Sequence, residues 1–194
     1  MYHNNEDRRS IQSKNMLYRA LSQKIREKDF RTLTIQEVVL TAQVGRSTFY
    51  RNFDDLESIL LWKCNETFQS LYRFILESIS AQEIRHDADP FPFLLPFFRF
   101  WKEDSEIIEL LVAARRIDIL YSAFENTLKQ LVSRLNPALT SRSPHFEYFL
   151  AFRSGALIHI LIQWIRNRKN LSPEDMYALI KLQSKGFAQP AGTT

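Results

Sequence analysis

Glycine is almost missing from this chain: its 194 residues include only Gly45, Gly155, Gly186 and Gly192. Tight turns and phosphate-cradling loops rely on the positive φ angles that glycine adopts without strain. No two of the four stand at the spacing of a GxGxxG dinucleotide loop or a GxxxxGK phosphate loop, which excludes both. Turn dipeptides are few as well, which argues against a fold of many short strands. An all-α chain remains, and its 15 Phe supply ample material for a core.

Other chemistries fall away quickly. Cys64 is the single cysteine, so there is no intramolecular disulfide and no CxxC pair. His3, His86, His145 and His159 do not form HExxH, and nothing assembles a nucleophile, base and orienting group. No enzyme activity, cofactor or metal is expected. The N-terminal residues are polar, unlike a signal peptide, and no uninterrupted apolar run reaches the roughly 18 residues of a membrane span. A cytoplasmic protein with no membrane partner is predicted.

The net charge of +4 is unevenly placed. Residues 1–52 hold ten Lys/Arg against five acids, so the whole positive excess lies in the first quarter of the chain. That asymmetry points to an anionic partner for this segment.

Helical signals follow one another along the chain. Ile11, Leu17, Tyr18, Leu21 and Ile25 make a stripe over a helix from about Ser10 to Lys28. Thr34 and Glu37 have the spacing of a capping box, opening a short helix that buries Ile35, Val38, Val39 and Ala42. Gln43-Val44-Gly45 forms a tight connection to a third helix, Arg46 to about Phe53. Asp54 and Asp55 precede a long helix running to about Ile79. The polar stretch Ser80 to Pro90 is a candidate boundary, and Pro92 and Pro96 predict a short or kinked helix within Phe91 to Trp101. Ile107 to Leu135 is helical in pattern with a break near Arg115–Arg116. A loop with Pro137 follows, then start signals at Ser143-Pro144 and Ser172-Pro-Glu-Asp175 for helices ending near Arg168 and Gly186.

Two short helices with a tight connection, after one longer helix, fit a helix-turn-helix. On the third helix Phe49 and Phe53 mark the buried side, with Arg51 opposite and Ser47 and Thr48 beside it. Tyr50 and Asn52 take the flanks. Hydroxyls and a guanidinium so arranged can bond phosphates and base edges.

Thr34-Ile-Gln-Glu-Val-Val and Ala42-Gln-Val-Gly-Arg-Ser-Thr-Phe-Tyr-Arg-Asn-Phe53 resemble the N-terminal DNA-binding domain of the TetR family of bacterial transcription regulators. The core of the likeness is Thr48-Phe49-Tyr50-x-x-Phe53, followed by Leu56 to Leu60, and it covers about residues 8–60. The resemblance implies that Thr34 and the 46–52 helix face DNA, with Thr48 and Tyr50 on phosphates. Candidate contacts are Thr34, Gly45, Arg46, Ser47, Thr48, Tyr50, Arg51 and Asn52, with Arg51, Ser47 and Asn52 reading bases. Gly45 is the expected N-cap, leaving an amide for a phosphate oxygen. Departures stand at Gln43, where the family commonly has Gly, at Gly45 in place of Ser or Thr, and at Leu56 in place of Lys. Absence of a lysine there supports a different reading, an adaptor that kept the fold and lost DNA affinity.

The expected division is a DNA-binding domain over 1–54, an effector-binding and dimerisation domain over 55–188, and a disordered tail over 189–194. Phe146 to Ile165 is apolar nearly all round, more than a small chain can hide against itself. With the last helix it predicts a homodimer through Phe149, Leu157, Leu161, Trp164, Met176 and Ile180. Such a dimer would read a palindromic operator in double-stranded DNA, most simply as a repressor. The aromatic middle, Phe97, Phe98, Trp101, Tyr121 and Phe124, suits either a small-molecule effector pocket or ordinary core. Phe152-x-x-Gly155-Ala-Leu, Trp164 and Ser172-Pro-Glu-Asp resemble a branch of the family containing a protein-responsive activator of dihydroxyacetone kinase genes, which makes a protein effector the alternative.

Overall fold

A computed structural model describes residues 3–81, 92–135 and 145–186, all helical or connecting, with no strand among them. The helices are α1 (His3–Glu27), α2 (Ile35–Thr41), α3 (Arg46–Asn52), α4 (Leu56–Ser80), α5 (Leu94–Glu103), α6 (Glu106–Ala113), α7 (Ile117–Leu135), α8 (Phe146–Arg166) and α9 (Pro173–Gly186). A 3-10 turn, Phe30–Thr32, joins α1 to α2. The Ser143-Pro144 start signal, most of the 80–90 boundary, the Pro137 loop and the 189–194 tail lie outside the described residues.

Local signals account for the starts of three helices. Thr34 caps α2: its hydroxyl accepts from the Glu37 amide, and the Glu37 carboxylate accepts from the Thr34 amide at 2.9 Å. Ser172 and Asp175 repeat the pattern at α9. Asp55 caps α4 by accepting from the Ser58 amide at 2.7 Å. Two expectations change. α1 begins at His3, not near Ser10. Pro96 does not divide its helix, because it falls at the third position of α5, where an amide has no intrahelical partner to lose.

The chain forms two compact units, residues 1–68 with 106–154 and residues 69–105 with 155–194. In the first, Leu17, Leu21 and Ile25 of α1 are buried with Val38, Val39, Phe49, Phe53, Ile59 and Leu60. Phe49, Phe53 and Trp62 follow one another, with ring centres 6.3 and 5.9 Å apart. In the second, α5 packs on α9, and Phe98 meets Trp164 at 5.4 Å. Lys102 and Lys169 each donate to the other's carbonyl, at 2.9 and 3.0 Å. Helix α8 is long and apolar enough to cross a membrane by length and composition. It also carries Glu147, Arg153 and Arg166, and buries Leu150, Leu157, Ile158, Leu161 and Trp164 within the chain.

Candidate nucleic-acid interface

The helix-turn-helix is held from behind. Phe49 is completely buried, and Tyr50 lies edge-on to it at 5.3 Å while remaining 59% exposed. Phe53 closes the same side. The opposite side of α3 presents Arg46, Ser47 and Arg51, all exposed, with Thr48 half-buried. The arrangement expected from helical spacing is therefore present, and it puts hydroxyls, a phenol and cations on one open surface.

The turn into α3 closes by two backbone bonds, Gln43 amide to Leu40 carbonyl and Val44 amide to Val39 carbonyl. Gln43 takes a φ of 54°, the left-handed conformation that glycine favours at a helix end. Gly45, by contrast, has an ordinary φ of −77° and is the N-cap of α3 without a side-chain bond. The structural demand for glycine thus falls on Gln43.

Supporting bonds fix the rest. Arg46 donates to Gln36 of α2 at 2.8 Å, so one of its amino groups is used within the domain. Thr34 is exposed, and its hydroxyl is shared with the cap. The Glu37 carboxylate is held down to about 2, chiefly by the Lys28 ammonium at 2.5 Å and then by Thr34. Asn52, an expected base reader, is engaged within the domain. Its Nδ2 donates to the Thr48 carbonyl at 2.7 Å and its Oδ1 accepts from Ser10 at 2.8 Å, so the amide braces α3 against α1. Neither Ser10 nor Gln36 carries a signal in the sequence, because a bond between residues far apart leaves no local pattern.

The other predicted sites fare differently. Phe97, Phe98 and Trp101 are fully buried in one unit and Phe124 is 2% exposed in the other, where it meets Phe68. Tyr121 is half-buried. Of the two readings open for these rings, effector pocket or ordinary core, their burial favours core. Of the expected dimer contacts, Leu157, Leu161, Trp164, Met176 and Ile180 are buried inside their own chain, and Phe149 is half-buried. The reason is that α8 and α9 turn these side chains inward. Tyr148 (76% exposed) and Phe152 (66%) face out from α8, as do Leu179 and Leu182 from α9. Gly155 enforces no close approach within the chain, since a Cβ there would meet nothing within 4 Å.

An open cleft of about 340 Å³, with no counterpart in the sequence pattern, is lined by Tyr18, Arg19, Ser22, Gln23, Arg26, Glu27 and Glu106. Glu106, the first residue of α6, accepts from Arg26 at 2.6 Å, Ser22 at 3.0 Å and Tyr18 at 3.3 Å. Three positions of α1 are thereby tied to the start of α6. Among the described residues no cluster of His, Cys, Asp and Glu could hold a metal.

Comparison with known proteins agrees with this architecture. Residues 88–185 match the model of a transcriptional regulator C-terminal region of the TetR class. No curated protein matches the chain. A TetR transcriptional regulator from Streptococcus agalactiae shares the fold at a TM-score of 0.60 and 20% identity, over 91% of this chain and 96% of that one. A Listeria innocua protein superposes at 0.73 with 16% identity, covering 93% of both chains. A putative transcriptional regulator from Pseudomonas aeruginosa gives 0.63 and 14%, covering 90% and 89%.

Proposed function

Because this chain belongs to the TetR family of transcriptional regulators, we propose that it binds a palindromic DNA operator as a homodimer and represses transcription until an effector is bound. The observation that carries the reading is α3: its apolar side is sealed by Phe49 while Arg46, Ser47, Tyr50 and Arg51 stand in the open. A surface of that composition fits the major groove, Arg51 and Ser47 toward base edges, Thr48 and Tyr50 toward phosphates. Thr34 adds a phosphate contact from the start of α2. In this proposal residues 1–54 form the DNA-binding part and 55–188 the part that dimerises and responds.

Selection of duplexes from a random pool by the full-length chain, followed by titration of variants, tests it. Arg51→Ala is expected to relax preference at one base position, costing about 1–3 kcal/mol on the selected duplex. Thr48→Ala should weaken all duplexes evenly. A wild-type chain with no salt-sensitive affinity for any duplex refutes the reading and leaves the adaptor.

A second reading concerns the effector. The packed state of Phe97, Phe98, Trp101 and Phe124 favours a protein effector over a small molecule held among those rings. A melting screen with small molecules separates the two, since binding raises stability by mass action.

A further inference from the structure

Ser10 of α1 and Asn52 of α3 are 42 positions apart, yet the Ser10 hydroxyl donates to Asn52 Oδ1 at 2.8 Å. Asn52 also donates back to the Thr48 carbonyl, so both ends of its amide are used and the two helices hold one orientation. Arg8 and Arg9, the two residues before Ser10, are exposed. At about 1.5 Å of rise per residue, their Cα atoms stand within about 3 Å of the bonded serine along the helix axis. Arg51, the outward cation of α3, immediately precedes Asn52. The Ser10–Asn52 bond thus sets the backbone of Arg8 and Arg9 beside the C-terminal end of α3, which also carries Arg51. From Arg8 to Arg19 the sequence has four cations and no carboxylate, after Glu6 and Asp7.

We propose that the N-terminal part of α1, through Arg8 and Arg9, grips DNA phosphates beside the groove that α3 enters, with the Ser10–Asn52 bond as the positioning contact. The proposal rests on the DNA-binding reading above and extends the interface to a helix outside the helix-turn-helix. Guanidinium is suited to the task because its planar fork meets phosphate oxygens in pairs. Such contacts add affinity and fix register without reading sequence.

The probe is a duplex selected by the wild-type chain, with a scrambled duplex of equal length as control. Removing one cation from a phosphate makes the slope of log affinity against log salt shallower by about 0.9. The double variant Arg8→Ala, Arg9→Ala is expected to weaken both duplexes by the same factor and to flatten that slope by about 1 to 2 per head. Arg8→Lys with Arg9→Lys should keep most of the slope. Ser10→Ala, which leaves every charge in place, should lower affinity with base preference intact, and Ser10→Thr should restore it. An unchanged slope in the double alanine variant overturns the inference while leaving α3 as the reader. If the wild type selects no duplex, the DNA-binding reading and this extension fail together.

Discussion

At the scale of single residues, Gln43 is a position where sequence and backbone disagree. Its φ of 54° ends α2 in the left-handed region, which costs an L-residue with a Cβ about 1–2 kcal/mol. Glycine would remove that strain but raise the entropy of the unfolded chain, so the net gain is smaller. Gln43→Gly is expected to stabilise the protein by about 0.5–1 kcal/mol, read as a rise in Tm of about 1–4 °C. A fall in Tm would mean that the glutamine side chain makes up the strain elsewhere. The departure from the family pattern is visible in the sequence, but its cost is not, because the left-handed conformation belongs to the backbone. Asn52 shows the converse. Its place on the flank of α3 is readable, whereas its occupation by Ser10 depends on a helix 42 positions earlier.

At the scale of elements, the helix ends legible in the sequence are those with a local cause. The Thr34–Glu37 and Ser172–Asp175 caps each complete themselves within four residues, so spacing alone reveals them. The break before α7 is legible as well, at Arg115 and Arg116, although not what holds it. Arg115 takes a φ of 57°, and the Arg116 amide closes on the Leu111 carbonyl at 2.8 Å. The Arg116 guanidinium then pairs with Glu57 in the first turn of α4 and with Asp118 in the first turn of α7, the latter at 2.7 Å. One side chain fastens two helix starts. Partial exposure of all three groups keeps the worth of each pair modest. Arg116→Ala is expected to cost about 1 kcal/mol in denaturant unfolding, since both acids keep their favourable places at helix N-termini. Arg116→Lys should recover little of it, because an ammonium lacks the fork that serves two carboxylates. Full recovery by lysine would reduce the arrangement to bulk charge.

At the scale of the whole molecule, most of the side chains that periodicity suggests for the proposed dimer are buried within their own chain, Phe149 staying half-buried. An apolar helix signals that it is covered, but not by what, and α8 divides its apolar residues between its own chain and the outside. Leu157, Leu161 and Trp164 point inward, while Tyr148 and Phe152 remain on the surface. The two groups should therefore respond to substitution in opposite ways. Leu161→Ala removes core volume and is expected to cost about 2–5 kcal/mol of stability with little direct effect on self-association. Phe152→Glu exposes no core, and its cost should fall on the proposed partner contact. Truncating a central aromatic anchor typically weakens an interface by about 2 kcal/mol or more, roughly thirtyfold or greater in dissociation constant. Sedimentation across a concentration series should then find the variant nearer the 23.0 kDa protomer where wild type is a dimer. Its DNA affinity should fall in parallel, because half-sites one helical turn apart, about 34–36 Å, require two heads held together. A Phe152→Glu chain that stays dimeric and binds the selected duplex unchanged would move the interface off this face of α8.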